Sequence, residues 1–242
     1  AQVDHYLLKE QEDFALTEAF LPVLNRFDGE MLMLCNPNNP TGQVTDRTLM
    51  EKILEICQKK GIFLFIDECF LDLTLGGEDI TMKPYLEEYR GLFLLKAFTK
   101  SYGMAGLRLG YCLSSNQQLL KTMGSQTQPW NVSIPAQAAG IAALGETEFV
   151  KAANDLIHTQ RPQMEQALQN LGFRVIPSRT NYILFFSPTE LREPLLHKGI
   201  QIRSCANYPG LGEGWYRVAV KLPEENRKLM EALGEIELTV DS

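Results

Sequence analysis

The chain has 242 residues, of which 45% are hydrophobic and 22% charged, enough apolar material for a sizeable core. This excludes a disordered, collagen-like or disulfide-stapled chain. Its 23 Lys and Arg against 30 Asp and Glu leave a net charge of −7, which argues against a nucleic-acid or anionic-membrane partner.

In chain order, Met31 to Cys35 is an apolar run stopped by the sequence N-P-N-N-P-T-G, Asn36 to Gly42, which reads as a buried strand entering a tight loop. Asp46 opens a helix whose apolar face is Leu49, Ile53, Leu54 and Cys57, with Gly61 past its end. Ile62 to Ile66 is a second apolar strand, with Asp67 at its carboxyl end. Leu92 to Leu95 is a third, shortly before Lys100, and Leu107 to Cys112 a fourth. Strands apolar on both faces, alternating with amphipathic helices, predict an α/β fold with a mostly parallel sheet covered by helices on both faces.

Ile134 to Leu144 is an alanine-rich helix, and a longer one runs from Thr147 towards Leu171. Pro162 has no amide to bond back to residue 158 and should kink or divide it. Beyond Gly172 the pattern changes to strands at Arg174 to Ile176, Tyr182 to Phe186, Ile200 to Arg203 and Tyr216 to Val220, with helices near Pro188 to Lys198 and Pro223 to Leu233. A smaller α+β domain is expected there. The boundary falls in the long helix, giving domains at residues 1–160 and 161–242.

The five cysteines are scattered without a C-x-x-C pair, as expected of buried, reduced thiols in a cytoplasmic protein. The three histidines show no ligand spacing, so no metal is expected. No apolar run approaches membrane-spanning length.

Parallel sheets bind ligands beyond the carboxyl ends of their strands. Asn39, Asp67 and Lys100 all fall at such ends. A carboxylate ending the run I-F-L-F-I must be paired, because burying it alone costs several kcal/mol. A helix cap or a salt bridge would satisfy Asp67 or Lys100 taken singly. Their order and spacing together are more specific.

The segments N-P-N-N-P-T-G, F-I-D-E-C-F and T-K-S-Y-G-M-A-G-L-R-L-G-Y resemble the class I/II aminotransferases of the fold-type-I pyridoxal-phosphate enzymes. T-N-Y-I-L-F-F, G-I-Q-I-R-S-C and W-Y-R-V-A-V extend the resemblance along essentially the whole chain. Within that group, D-E-C-F-L-D and P-G-L-G-E-G are most similar to the threonine-phosphate decarboxylase branch of cobalamin synthesis, a near relation of the histidinol-phosphate aminotransferases.

The resemblance implies pyridoxal 5'-phosphate as cofactor, with Lys100 as the amine that condenses with its aldehyde. Asp67 is implied to face the pyridine nitrogen, where its negative charge keeps the ring electron-accepting. Asn39 is implied to donate to the phenolic oxygen, and Arg108 to clamp the phosphate with its planar fork of donors. Arg217 matches the arginine that binds the substrate carboxylate, and Arg203 and Asn181 are further candidates for substrate contact.

The first domain would be part of the large cofactor-binding domain. The small-molecule substrate would be an amino acid or amino phosphate, and the full-length protein a homodimer. The segment Pro129 to Ser133 matches a loop near the dimer region, where Trp130 is an anchor of either core or surface.

Three departures qualify the match. Phe70 stands where many members carry a tyrosine donor, which draws the reading towards the decarboxylase branch. Ala97 stands where a hydroxyl often contacts the phosphate. Nothing before Met31 resembles the glycine-containing phosphate loop, so the chain reads as amino-terminally truncated within the large domain. The run Pro209 to Gly214 lacks a strand before it and a helix after it, and reads as a turn. The alternatives are an amino transfer of the histidinol-phosphate type, a ligand-sensing module, and a folded but non-catalytic fragment.

Overall fold

The computed structural model describes residues 2–240, with side chains through Ile236. Compactness divides them into two units. One comprises Leu16–Pro37 and Val44–Asn154; the other comprises the chain through Ala15, Asn38–Gln43 and the chain from Asp155 onward.

The first unit is built on a four-stranded sheet. Helix α1 (Leu21–Arg26) precedes β1 (Met31–Cys35), and α2 (Arg47–Lys60) leads to β2 (Phe63–Asp67). The short α3 (Gly77–Ile80) precedes β3 (Leu92–Ala97), α4 (Phe98–Ser101) and β4 (Gly110–Leu113). Helices α5 (Gln117–Gln126) and α6 (Ile134–Ala143) follow. The strand order is β1-β2-β3-β4, with the first three parallel and β4 antiparallel to β3. The mostly parallel sheet is therefore as expected.

Local chemistry accounts for the elements. Asp46 caps α2 by accepting the Leu49 amide at 2.9 Å, and Gly61 closes it at φ +70°. The buried face of α2 is Leu49, Met50, Ile53, Leu54 and Cys57. From the sheet, Leu64, Ile66, Leu92 and Leu94 are fully buried. On β1, however, Met31 and Met33 are exposed, the latter at 64%, so this strand is not buried on both faces. It lies at the edge of the sheet. The fourth strand starts at Gly110 rather than Leu107, because Ala105–Leu107 forms a 3-10 turn and Arg108 is left-handed at φ +55°.

Helix α7 (Thr147–Asn170) is one continuous element that Pro162 does not divide. In the second unit, β5 (Arg174–Ile176), β6 (Tyr182–Phe186), α8 (Arg192–His197), β7 (Arg203–Ser204), β8 (Trp215–Ala219) and α9 (Pro223–Val240) follow. The sheet is antiparallel throughout, in the order β5-β6-β8-β7. β7 is shorter than its apolar run predicted, since only Arg203 and Ser204 pair with β8. The core packs Leu168, Phe185, Leu195 and Leu233 between this sheet and its helices. A second cluster on the opposite face joins Phe14 to Ile176, Leu184, Cys205 and Trp215. Pro209 to Gly214 is a turn as expected, with Gly210 and Gly214 both at φ +87°. No described helix is long and apolar enough to cross a membrane.

Candidate active site

Asp67, Lys100 and Arg108 lie in the parallel-sheet unit, and Asn39, Asn181, Arg203 and Arg217 in the antiparallel-sheet unit.

In the parallel-sheet unit, Asp67 is the last residue of β2 and lies opposite Leu95 of β3. Its Oδ1 accepts the Cys69 amide at 2.9 Å, which turns the chain sharply after the strand. β3 ends at Ala97 and passes directly into α4, which carries Lys100. The Lys100 side chain is exposed, and its Nζ lies 5.5 Å from the centroid of the Phe70 ring. Phe70 sits three residues beyond Asp67, so the amine faces the segment that the acid begins. Arg108 is also exposed, and its guanidinium donates to the Ala105 carbonyl at 3.1 Å. Its left-handed backbone is uncommon for a residue with a Cβ, and such strain gathers at functional sites.

Cys69 is the other nucleophile in this segment. Burial, then its hydrogen bond and proximity to Asp67, push its thiol well above the ordinary range. A thiol held protonated is a poor nucleophile. Among the described residues, Cys57 and Cys205 are buried and Cys35, Cys69 and Cys112 half-buried, and none of the five is in a disulfide.

An ionic network here was not foreseen from the sequence. Lys96 interrupts the apolar run of β3 and is paired with Asp72 at 2.6 Å and Glu68 at 3.7 Å. Burial disfavours its charge, but Asp72 and Glu68 more than offset this and hold the ammonium above the usual lysine value. The signal available was a single lysine in the run L-F-L-L-K-A beside the acid-rich D-E-C-F-L-D. A charge in such a strand requires partners.

In the antiparallel-sheet unit, the loop around Asn39 is fixed at several points. Tyr182 Oη donates to the Asn38 carbonyl at 2.9 Å, and the Arg179 amide to the Gly42 carbonyl at 3.1 Å. Gly42 is at φ +73°, where a Cβ would come within 2.3 Å of Ser178 Oγ. The glycine of the motif is thus required both for its backbone angle and for close approach. Arg217 on β8 donates to Asn39 Oδ1 and lies over the Tyr182 ring, 5.3 Å from its centroid. Arg203 on β7 is the direct cross-strand partner of Arg217. Directly opposed residues project from the same face of a sheet, so two guanidinium-bearing side chains share one face. Arg203 donates to Asn207 Oδ1 at 3.1 Å and is exposed. Asn181 immediately precedes β6; its carbonyl accepts the Val220 amide at 2.8 Å and its Oδ1 accepts the Thr180 hydroxyl at 3.2 Å.

Trp130 is 96% exposed at φ +65°, which removes the core alternative for that side chain.

Residues 1–233 match the family model described as aminotransferase class I and II. The chain belongs to that pyridoxal-phosphate-dependent enzyme family. Among individual relatives, it is 35% identical to a threonine-phosphate decarboxylase of Salmonella typhimurium, over 97% of this chain and 65% of the relative. It is 31% identical to a histidinol-phosphate aminotransferase of Caldanaerobacter subterraneus, over 93% of this chain and 62% of the relative. The crystal structure of a histidinol-phosphate aminotransferase from Clostridium acetobutylicum superposes with a TM-score of 0.85 at 27% identity, covering 92% of this chain and 67% of that one. The chain therefore spans a little under two thirds of the length of the curated relatives it matches.

Proposed function

We propose that this chain is the lysine-bearing portion of a pyridoxal-phosphate enzyme acting on an amino acid that carries a phosphate, with decarboxylation of O-phosphothreonine as the first reading. The cross-strand arginine pair carries the phosphate part of the proposal. Like charges directly opposed across a sheet repel, and a dianion between them turns that cost into two charge-assisted contacts. The higher identity to the Salmonella decarboxylase and the phenylalanine at position 70 favour loss of carbon dioxide. The superposition on the Clostridium aminotransferase favours, as second reading, amino transfer of the histidinol-phosphate type.

The donors fit the cofactor: a primary amine for an aldehyde, a half-buried carboxylate for a protonated ring nitrogen, and an exposed guanidinium for a phosphate. When bound, pyridoxal phosphate supplies the aldehyde and the ring that accepts electrons from the substrate α-carbon. Asp67 holds the proton at the ring nitrogen, and Arg108 grips the phosphate. Asn39, oriented by Arg217, donates its amide to the phenolic oxygen. Arg217 would bind the substrate carboxylate or its equivalent anion, here the phosphate that it shares with Arg203, with Asn181 alongside. Lys100 would be the amine that holds the cofactor aldehyde, and it would move a proton at the substrate α-carbon.

How the arginines orient the substrate's anions would decide which bond at its α-carbon breaks. In the proposed whole protein, residues 1–160 belong to the large domain, residues 161–242 form the small one, and two copies associate in the cytoplasm.

The test is borohydride reduction with pyridoxal phosphate, followed by peptide mapping. The label is expected on Lys100 and absent in Lys100→Ala; a label spread evenly over surface lysines rejects the reading. In the intact protein, carbon dioxide release from O-phosphothreonine separates the first reading from amino transfer. Arg203→Met should weaken a phosphorylated substrate about tenfold or more relative to its unphosphorylated analogue, the scale of a charge-assisted pair.

A further inference from the structure

The turn that carries Lys100 is too short to hold itself. α4 spans only Phe98–Ser101, and a single helical turn has no cooperative stability of its own. Its position comes from ties to its surroundings. The Phe98 amide donates to the Leu109 carbonyl at 3.2 Å, and the buried Phe98 ring packs on Tyr102 and Tyr111. Ser101, the residue after Lys100, is buried, and its hydroxyl donates to Asp72 Oδ2 at 3.2 Å.

Asp72 is itself held from several directions. Lys96 Nζ meets its Oδ1 at 2.6 Å, and Asn154 Nδ2 donates to its carbonyl at 2.8 Å. Glu68, the residue after Asp67, has a side chain only 2% exposed. It accepts the Thr81 hydroxyl at 2.7 Å and the Met82 amide at 2.9 Å, with Lys96 at 3.7 Å. One network thus runs from the neighbour of Asp67, through Lys96 on β3, to the neighbour of Lys100. Removing one member of a largely buried charge network unbalances the rest, so the network acts as a unit.

We propose that Asp72, oriented by Lys96 and Glu68, is a positioning residue for Lys100. It fixes the α4 turn through Ser101 and so sets where the amine stands relative to the strand end at Asp67. This rests on the reading of Lys100 as the amine that takes the cofactor. A misplacement of about 1 Å is enough to slow a positioned reaction by large factors.

Borohydride trapping of pyridoxal phosphate on this chain tests the proposal, with the label on Lys100 measured against that on Lys59, an exposed lysine of α2. Asp72→Ala should lower the Lys100-to-Lys59 ratio about tenfold, while Asp72→Glu, which keeps the charge, should stay within about twofold of the parent. Ser101→Ala removes only the last link and should lower the ratio several-fold at an unchanged thermal midpoint; it decides the matter if Asp72→Ala does not fold. Equal ratios in the parent and every variant overturn the positioning role and leave the reading of Lys100 intact. No Lys100 label in the parent overturns that reading and this proposal together.

Discussion

His158 on α7 shows how one side chain registers its surroundings. Its Nε2 is buried without a hydrogen-bond partner among the described residues. Burial first, and then the nearby Arg161, hold the imidazole below its ordinary value of 6.5, although Asp155 opposes them. The neutral ring is thus the form that folding favours. A histidine depressed in this way contributes its stability in full above about 6.5 and loses it as pH falls through that value towards the lower folded one. The thermal midpoint should therefore drop between about pH 7 and 5.5, and His158→Gln should shrink that drop by ~1–2 °C. An identical drop in the variant would show that other groups carry the acid sensitivity.

At the scale of elements, the loop Asn38–Gln43 makes the sharpest demand on sequence. Gly42→Ala must accommodate both φ +73° and a Cβ meeting Ser178 at 2.3 Å. The expected cost is about 1–3 kcal/mol, read as a lower denaturation midpoint at unchanged slope. A cost below a few tenths would mean that Ser178 turns aside freely.

Elements carried by continuous apolar runs were legible from sequence. The runs at Met31 to Cys35, Arg174 to Ile176 and Tyr182 to Phe186 became strands with those bounds. Where backbone geometry decides, the apolar pattern misleads. Leu107 is apolar yet lies in a 3-10 turn, and Ile200 and Ile202 lie before a strand of two residues. Asp67 and Lys100 stood out because each follows an apolar strand. The network of Glu68, Asp72, Lys96 and Ser101 did not, because its pairings join residues up to 29 positions apart, which local pattern does not encode.

On the molecule as a whole, α6 presents an apolar face to solvent. Ile134 is 81% and Ile141 76% exposed, and the flanking Trp130 and Leu144 are exposed as well. Exposed apolar side chains gathered on one helix are where self-association is to be tested. Ile141→Glu should leave the folding stability within about 0.5 kcal/mol of the parent, because the side chain is already in water. Its effect should instead be to reduce self-association, seen as a lower weight-average mass in sedimentation. An unchanged mass would remove this helix from any interface.

The early residues carry a practical lesson for anyone cutting the gene. Phe14 is 3% exposed and meets Trp215 edge-on at 5.1 Å, and Glu10 pairs with Arg174. A peptide begun at Asp155 would lay bare the indole and the aliphatic neighbours that Phe14 covers. Excised alone it would be sticky, while the same stretch tethered to its leading fifteen residues would keep a dry underside.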